Sequence, residues 1–386
     1  MKFNKWTLGL AAVGVVSLAS AARADEKVSQ LNTALSNTTL SGYVDVGAQY
    51  VNATGAAYSL NTAGNGFSLN TVDLALDKPL DATPFSAGYH VELWTGGAPV
   101  GTGSLVRQAY LALGTTIAGQ EIDWKIGVWD TLIGYEGLTS GNNPNYTHSY
   151  GFFVEPTDHT GVQATYKVND EITVQAGIAD EEAGNAATIN GVPTAGEAYA
   201  LSSPELLALV SFTAPDSWGT LKGATLSVGG TDNTSDAGPK NVYVGATVPT
   251  PLAALKLGAA YDYEDVGVGA GHVNVFGVYG TYTATDKLTF NLRGELADQS
   301  APNLIGTAAV APTAATPFAL ATAGTAATGL ASKYGEEFTA TVSYALWANV
   351  TSRVEARWDH AETGSYGPGA TAENAIFLGA QLIYTF

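Results

Sequence analysis

The chain has 386 residues, of which 46% are hydrophobic and only 13% are charged, and it contains 45 Gly and no Cys. The absence of cysteine excludes a disulfide scaffold and thiolate metal sites, and a formal net charge of −19 argues against nucleic-acid partners, which need clustered Lys and Arg. So few charges are unusual in a soluble domain, yet no segment after residue 24 has the pattern of a membrane-spanning helix, which favours membrane-spanning strands.

The first segment has the pattern of a secretory signal peptide. Two lysines precede an apolar stretch from Leu8 to Leu18, and Ala22-Arg23-Ala24 supplies a small-x-small cleavage site. The apolar stretch is shorter than the ~20 residues that a spanning helix needs. Residues 1–24 are therefore predicted to be a removed signal, with a mature start at Asp25.

The pattern of apolar and polar residues divides the predicted mature chain into two parts. Residues 25–37 form a short periplasmic N-terminal segment, and residues 38–386 form an outer-membrane β-barrel. Removal of the three basic residues of the signal would lower the formal net charge from −19 to about −22.

Alternation of apolar and polar residues with a period of two predicts β-strands. From Lys287 to Asp298, for example, leucines and a phenylalanine face one way, whereas Asn291, Arg293 and Glu295 face the other. About sixteen such segments are predicted, with boundaries uncertain by roughly two to four residues. They lie near 38–51, 66–78, 84–95, 104–114, 121–130, 159–168, 171–181, 206–214, 221–231, 240–249, 253–264, 271–283, 287–298, 334–345, 349–361 and 373–386.

The connections between these strands are alternately short and long. Short turns include Pro79 to Thr83, Thr115 to Gly119, and Asn169-Asp170. Short periplasmic turns and long extracellular loops are typical of a transmembrane antiparallel up-and-down β-barrel, which is the predicted fold. In this arrangement Trp218 and Trp347 belong to a periplasmic aromatic ring, and Trp94 and Trp358 are predicted toward the outer rim.

Three loops are conspicuous by length. The loop from Thr131 to Asp158 is rich in aromatic residues and, because it follows the fifth strand, resembles the loop that folds into the lumen of trimeric general porins. If it folds inward, Glu136, Glu155 and Asp158 are candidates for charges at a constriction. A lid over the rim is the alternative, and both stay open. The other long loops are Glu181 to Glu205 and the Ala- and Thr-rich Ser300 to Lys333.

The water-facing strand positions carry the other candidate pore-lining charges. A barrel of about sixteen strands encloses an aqueous channel, and charges along it set selectivity. The candidates are Lys125, Arg293, Glu295, Arg353, Glu355 and Arg357. The alternative for each is a wall charge that is paired across strands and unrelated to selectivity. The acidic total favours a weak preference for cations.

No catalytic, cofactor or metal site is predicted. His148 and Ser149 are neighbours in sequence, so on an extended strand they point to opposite faces and do not form a base–nucleophile pair. Asp232, Thr234 and Asp236 have the spacing of a calcium loop, but Ala237 stands where such a loop needs Gly. The chain is therefore not expected to be an enzyme.

Four blocks of sequence resemble the OmpL-like β-barrel porin family. They are FSLNTVDLALDKPL (67–80), RQAYLAL (107–113), WKIGVWDTLIGYEGL (124–138) and NPNYTHSYGFFVEPTDHTGVQATY (143–166). These four blocks lie in roughly the N-terminal half of the chain, so the resemblance covers that half. It implies an outer-membrane channel for the passive diffusion of ions and small hydrophilic solutes.

The last strand, from Ala375 to Phe386, has one apolar face and ends on an aromatic residue. This is typical of the closing strand of an outer-membrane barrel and implies recognition by the barrel-assembly machinery. Outer-membrane lipid, lipopolysaccharide and small solutes are the other expected partners in a Gram-negative-type envelope. A monomer and a homotrimer both stay open.

Two other functions are alternatives to a diffusion channel. A surface receptor or adhesin would use the barrel only to anchor long loops that bind a partner. A secreted β-solenoid would show an internal repeat of fixed period, which the sequence lacks.

Overall fold

The computed structural model describes residues 37–52, 65–95, 105–180, 204–234, 238–267, 271–300, 332–366 and 371–386. The predicted signal peptide, the periplasmic segment up to residue 36, and nearly all of the loops 181–205 and 300–333 lie outside the described residues. In the described part of the chain, no helix is long and apolar enough to cross a membrane.

The described residues form sixteen antiparallel strands that close into one barrel, in which each strand pairs with its neighbours in sequence. The strands are β1 (Thr39–Val51), β2 (Gly66–Lys78), β3 (Ser86–Thr95), β4 (Leu105–Ile117), β5 (Gln120–Asp130), β6 (Asp158–Lys167), β7 (Ile172–Ala179), β8 (Glu205–Thr213), β9 (Thr225–Asn233), β10 (Lys240–Pro249), β11 (Leu255–Asp265), β12 (His272–Thr283), β13 (Leu288–Gln299), β14 (Tyr334–Trp347), β15 (Val350–Ala361) and β16 (Asn374–Thr385). The predicted fold class is confirmed.

Pairing of β16 with β1 closes the barrel. The register matches Tyr43 with Thr385 and Val51 with Phe377, and Phe386 continues the ladder through two backbone hydrogen bonds with Gly42 of 3.0 and 3.1 Å. Because closure pairs both edge strands, no backbone edge is left to face lipid.

The two faces of the strands differ as the alternation predicts. Leu292 on β13 is 49% exposed, whereas the adjacent Arg293 is fully buried inside the barrel. The outward positions of β16 are likewise exposed apolar residues, among them Leu378 and Leu382. The barrel therefore presents an apolar outer wall and a polar inner wall, as a membrane barrel requires.

Two local predictions were wrong. The turn predicted from Thr115 to Gly119 is shorter, because β4 continues to Ile117 through residues that favour strands. Trp94 points into the barrel, where its indole N–H donates to Asp73 at 2.8 Å and Glu92 at 2.9 Å. Trp94 has the same strand parity as Glu92, so the two side chains share the inner face.

The orientation of the wall can be tested with a charge on its outer face. We expect Leu292→Arg to lower the free energy of unfolding by about 2–4 kcal/mol, because the guanidinium would enter the hydrocarbon near the middle of the strand. Urea titration of the barrel refolded in lipid vesicles measures the change. Glu121→Arg, an exposed position whose parity faces the lumen, is the control and should be nearly neutral. Equal effects would contradict the assigned orientation.

Candidate functional site: a loop bound inside the barrel

The connection between β5 and β6, residues 131–157, lies inside the barrel and packs against its inner wall. It contains one short helix, Tyr150–Val154, whose first turn is capped by Ser149 accepting from the Phe152 N–H at 3.0 Å. Side chains from every strand between β10 and β16 contact this connection. We call residues 131–157 the lumen loop.

Carboxylates of the wall accept hydrogen bonds from backbone N–H groups of the lumen loop. Glu355 on β15 accepts from residues 146 and 147 at 2.5 and 2.9 Å. Glu295 on β13 accepts from residues 150 and 151 at 2.5 and 3.2 Å. Irregular backbone cannot pair its own polar groups, so these carboxylates satisfy donors that would otherwise be buried without a partner.

Arg293 on β13 is the most highly connected wall cation. It donates to Glu337 on the neighbouring strand and to Glu136 of the lumen loop, both at 2.7 Å. The same guanidinium donates to the carbonyl oxygen of Thr147 at 2.9 Å and to that of His148 at 3.3 Å. Because its charge is fully buried, these partners are what allow it to remain there.

Arg357 on β15 forms a second attachment beside the first. Its guanidinium donates to the His148 carbonyl at 2.6 Å and to Asp359 at 2.7 Å. It also lies 5.2 Å from the ring centroid of Tyr150, whose hydroxyl donates to Asp359 at 2.8 Å. The helix of the lumen loop is thus bound to the wall through side chain and backbone together.

Inward-facing glycines make room for the tyrosines of the lumen loop. A Cβ atom at Gly379 would come within 2.6 Å of the Tyr146 ring, and one at Gly47 within 2.5 Å of its hydroxyl. Gly258 likewise lies under the hydroxyl of Tyr135, whose ring stacks on Tyr279 with centroids 3.9 Å apart. The wall therefore complements the loop in shape, and its polar groups complement those of the loop.

His148 belongs to the interior of the lumen loop. Its ring lies 4.0 Å from that of Phe152, and its Nε2 atom is 3.2 Å from the Gly137 carbonyl oxygen. Burial lowers the pKa of His148 to about 4, so the ring is neutral near pH 7 and adds no charge to the lumen.

The structure brings most of the candidate pore-lining residues together under the lumen loop, and places three of them elsewhere. Arg353 joins the attached group by donating to the Ser140 carbonyl at 2.8 Å. Glu155 lies at the other end of the loop, against Asp262 of β11. Asp158 is the first residue of β6 and forms an ion pair of 3.3 Å with Arg107. Lys125 lies on β5, outside this contact region.

Part of the wall from β2 to β5 presents a different surface, apart from the points where the Tyr146 hydroxyl donates to Asn70 of β2 and Trp94 of β3 packs with Leu138 and Phe152 of the loop. Asp77, His90, Tyr110 and Gly127 are directly paired in register across these strands, and none of the described hydrogen bonds or ion pairs joins them to the lumen loop. The Asp77 side chain is 45% exposed. We call this set, with Lys125, the free-wall row.

Lys125 contributes the cation of the free-wall row. Its Nζ atom is 4.7 Å from the ring centroid of Tyr110, and no carboxylate in the described part of the chain lies within 4.0 Å of it. Lys125 is partly exposed, unlike the buried arginines, and no ion pair holds it in the described structure.

Two kinds of residue at the candidate site were not predicted from the sequence. One is the set of inward-facing glycines. A glycine at a water-facing strand position is the sequence feature that could have indicated close packing by another part of the chain. The other is the free-wall row, of which only Lys125 was a candidate. Alternation places His90 on the water-facing side of its strand, but alternation alone does not show which water-facing positions the lumen loop leaves uncovered.

The family described as "Putative beta-barrel porin-2, OmpL-like" matches residues 37–386. Among curated proteins, none matches the chain significantly.

Several solved structures share the fold. The anion-selective porin of Comamonas acidovorans is 13% identical, with 90% of this chain and 99% of that chain covered and a TM-score of 0.54. The outer membrane channel DcaP of Acinetobacter baumannii is 14% identical, with 90% and 97% covered and a TM-score of 0.56. OmpT of Vibrio cholerae is 14% identical, with 93% and 100% covered and a TM-score of 0.54.

The attachment of the lumen loop can be tested at Arg293. We expect Arg293→Ala to destabilise the bound loop by about 3–5 kcal/mol, because Glu136 would be buried without its cation and Glu337 would keep only Arg357 at 3.5 Å. Thermolysin cleavage near Phe152 should then become fast while the strands stay protected. Lys125→Ala, which removes a lumen cation outside the contact region, is the matched control and should leave cleavage slow. Equal protection in both variants would show that Arg293 does not hold the loop.

Proposed function

Because this chain belongs to the OmpL-like family of β-barrel porins and is an outer-membrane porin, we propose that ions and small hydrophilic solutes cross it by passive diffusion between the lumen loop and the free-wall row. The family is one of channels and not of enzymes. The observation that carries the proposal is the uneven attachment of the loop. Its hydrogen bonds and ion pairs fall mainly on β10 to β16, although the loop also contacts Asn70 of β2 and Trp94 of β3. The carboxylate of Asp77 on β2 is left exposed.

The attached side contributes little to the charge that a solute meets. The guanidinium groups of Arg293 and Arg357 are buried and paired with carboxylates of the wall and the loop. Charges that are neutralised at hydrogen-bond distance and shielded from water have a weak field in the lumen. For Arg293, Glu295, Arg353, Glu355 and Arg357, the supported role is therefore binding of the loop.

The free-wall row and its surroundings set the proposed selectivity. Asp77 and Asp123 supply carboxylates, and Lys125 and His90 supply the basic groups. Glu121 adds a further exposed carboxylate at the periplasmic end of β5. This balance, together with the acidic total of the chain, supports a weak preference for cations.

We extend the proposal to export and assembly. Residues 1–24 would be removed as a signal, residues 25–37 would form a short periplasmic segment, and the strand ending at Phe386 would be recognised by the barrel-assembly machinery. The outer wall would contact outer-membrane lipid and lipopolysaccharide. A trimer form of Vibrio cholerae OmpT is among the similar structures, which supports a homotrimer here. Chemical cross-linking of the purified protein in detergent would test it, and a single monomer band would contradict it.

Deletion of most of the lumen loop tests the proposed diffusion path. We expect a variant lacking Gly137 to Pro156 to show clearly larger single-channel conductance in planar bilayers, because the bound loop fills part of the lumen. A deletion of the same length within residues 300–333 is the control. A barrel that is silent in both forms would contradict the diffusion path and favour a receptor or adhesin anchored by the barrel.

Selectivity is tested at the uncovered cation. Lys125→Glu should shift the reversal potential in a salt gradient toward cations, because it replaces a positive charge beside the path with a negative one. Lys167→Glu, at an exposed position beside the β6–β7 turn, is the control and should shift it less. An unchanged reversal potential in Lys125→Glu would place the path elsewhere in the lumen.

A further inference from the structure

Arg293 and Arg357 use the two sides of the guanidinium group in the same way. In each, Nη1 donates to a backbone carbonyl of the lumen loop, at 2.9 Å for Arg293 and 2.6 Å for Arg357. The opposite edge, formed by Nε and Nη2, holds a carboxylate. For Arg293 this is Glu337, with Nε at 2.7 Å and Nη2 at 3.4 Å. For Arg357 it is Asp359, with Nε at 3.0 Å and Nη2 at 2.7 Å. A planar carboxylate that accepts from both nitrogens is the usual partner of this edge.

Arg353 on β15 repeats the first half of this arrangement but not the second. Its Nη1 atom donates to the loop carbonyl of Ser140 at 2.8 Å and to the amide oxygen of Gln381 at 3.1 Å. Its Nε atom is buried without a hydrogen-bond partner, and Nη2 donates to no residue in the described part of the chain. The residue is 5% exposed, so an open donor edge lies inside the barrel.

No carboxylate balances the charge of Arg353 at close range. Among the described residues, no carboxylate oxygen lies within 4.0 Å of its guanidinium nitrogens, whereas every other described arginine forms at least one ion pair. A buried guanidinium without a paired anion is costly. The open edge of Arg353 is therefore a place where an anion would be stabilised.

The two acidic groups that act on Arg353 from farther away are held by other partners. Glu355, two residues along the same strand, accepts from the backbone N–H groups of residues 146 and 147 and from Thr341. Asp45 of β1 accepts from Asn70 at 2.9 Å and from Gln381 at 2.7 Å. The carboxylate that Asp359 supplies to Arg357 thus has no counterpart at Arg353, because the equivalent residue, Glu355, binds the lumen loop instead.

The open edge has small neighbours and lies next to the water-filled part of the lumen. Since Nη1 of Arg353 is directed at Gln381 of β16, the opposite edge is directed away from β16. On the other side, Ser343 of β14 is paired directly with Arg353 in register, and Ala345 is paired with Thr351. Ser343, Ala345 and Thr351 are small and partly exposed, which leaves room for a solute beside the guanidinium group.

We propose that the open edge of Arg353 is a subsite that binds the carboxylate of small monocarboxylate solutes in the lumen. The solute would take the position that Glu337 has at Arg293 and Asp359 has at Arg357. The inference rests on the proposed diffusion path for the arrival of the solute and for any effect on conduction, whereas binding itself is measured separately.

The surroundings favour a single planar negative charge. A carboxylate matches the two parallel donors of the edge, and one negative charge neutralises one guanidinium group. Phosphate carries more charge, which the carboxylates of Asp45 and Glu355 would repel. A neutral amide of the same shape gains no charge-assisted hydrogen bond.

This subsite is compatible with a weak preference for cations. The ion preference of the lumen depends on all the exposed charges along the path, whereas the subsite acts only on a solute that contacts Arg353. It therefore adds recognition of one chemical group to a channel that is otherwise acidic.

Titration of the refolded barrel in detergent with isotope-labelled propionate, followed by NMR at about pH 7 where the solute is ionised, tests the subsite. Propionate should bind saturably, propionamide should not bind, and inorganic phosphate should bind less tightly than propionate. Arg353→Lys keeps the charge and a donor for the Ser140 carbonyl but loses the planar edge, so it should weaken propionate binding about tenfold. Slow thermolysin cleavage near Phe152 would show that the lumen loop is still bound in the variant.

A second variant leaves the arginine in place. Ser343→Glu should put a carboxylate of the chain itself against the open edge of Arg353, because the two residues are directly paired across β14 and β15. Propionate binding should again fall about tenfold. Thr213→Glu adds the same charge at a partly exposed, inward position of β8 and is the matched control, which should bind propionate as the wild type does.

Each outcome decides one point. Absence of saturable propionate binding, or binding that both Arg353→Lys and Ser343→Glu leave unchanged, would overturn the subsite. Tighter binding of phosphate than of propionate would overturn the assignment to monocarboxylates. In planar bilayers, propionate should interrupt the single-channel current more often than chloride does, and Ser343→Glu should abolish the difference. A barrel that does not conduct would contradict the diffusion path, while the titration would still report on the subsite.

Discussion

The lumen loop carries backbone N–H and C=O groups that have no partners of their own into a closed barrel. Side chains of the inner wall supply the hydrogen-bond partners that these groups need. Carboxylates of Glu295 and Glu355 lie against N–H groups, whereas guanidinium groups of Arg293 and Arg357 lie against carbonyls. An unpaired polar group in such a place would be costly. The charges of the wall are therefore placed by the polarity of the loop backbone as much as by any passing solute.

This division of the lumen explains why charged residues with the same strand pattern have different roles. Arg293 and Lys125 are both cations that face inward, yet the first is fully buried between carboxylates and the second lies beside a tyrosine ring without an ion pair in the described structure. Only an uncovered charge acts strongly on an ion in water. The attached side holds the loop in position, and in the proposed function the less covered side sets the selectivity.

The close fit of loop to wall depends on size as well as charge. The tyrosines of the lumen loop occupy space that inward glycines leave open, as Tyr146 does beside Gly379. The end of the loop is different, because Glu155 meets another acid instead of a cation.

The sequence by itself determined the barrel. Strands such as Leu288–Gln299 alternate so regularly that face, length and number follow from the chemistry of lipid on one side and water on the other, and the family blocks add the function. Only the tertiary structure decided which inner charges meet. Arg293 and Glu136 are 157 positions apart and touch because an irregular loop folds across the lumen, and a period of two carries no information about where such a loop goes. For the same reason the neighbour of Glu155, and the part of the wall to which the loop is bound, appear only in three dimensions.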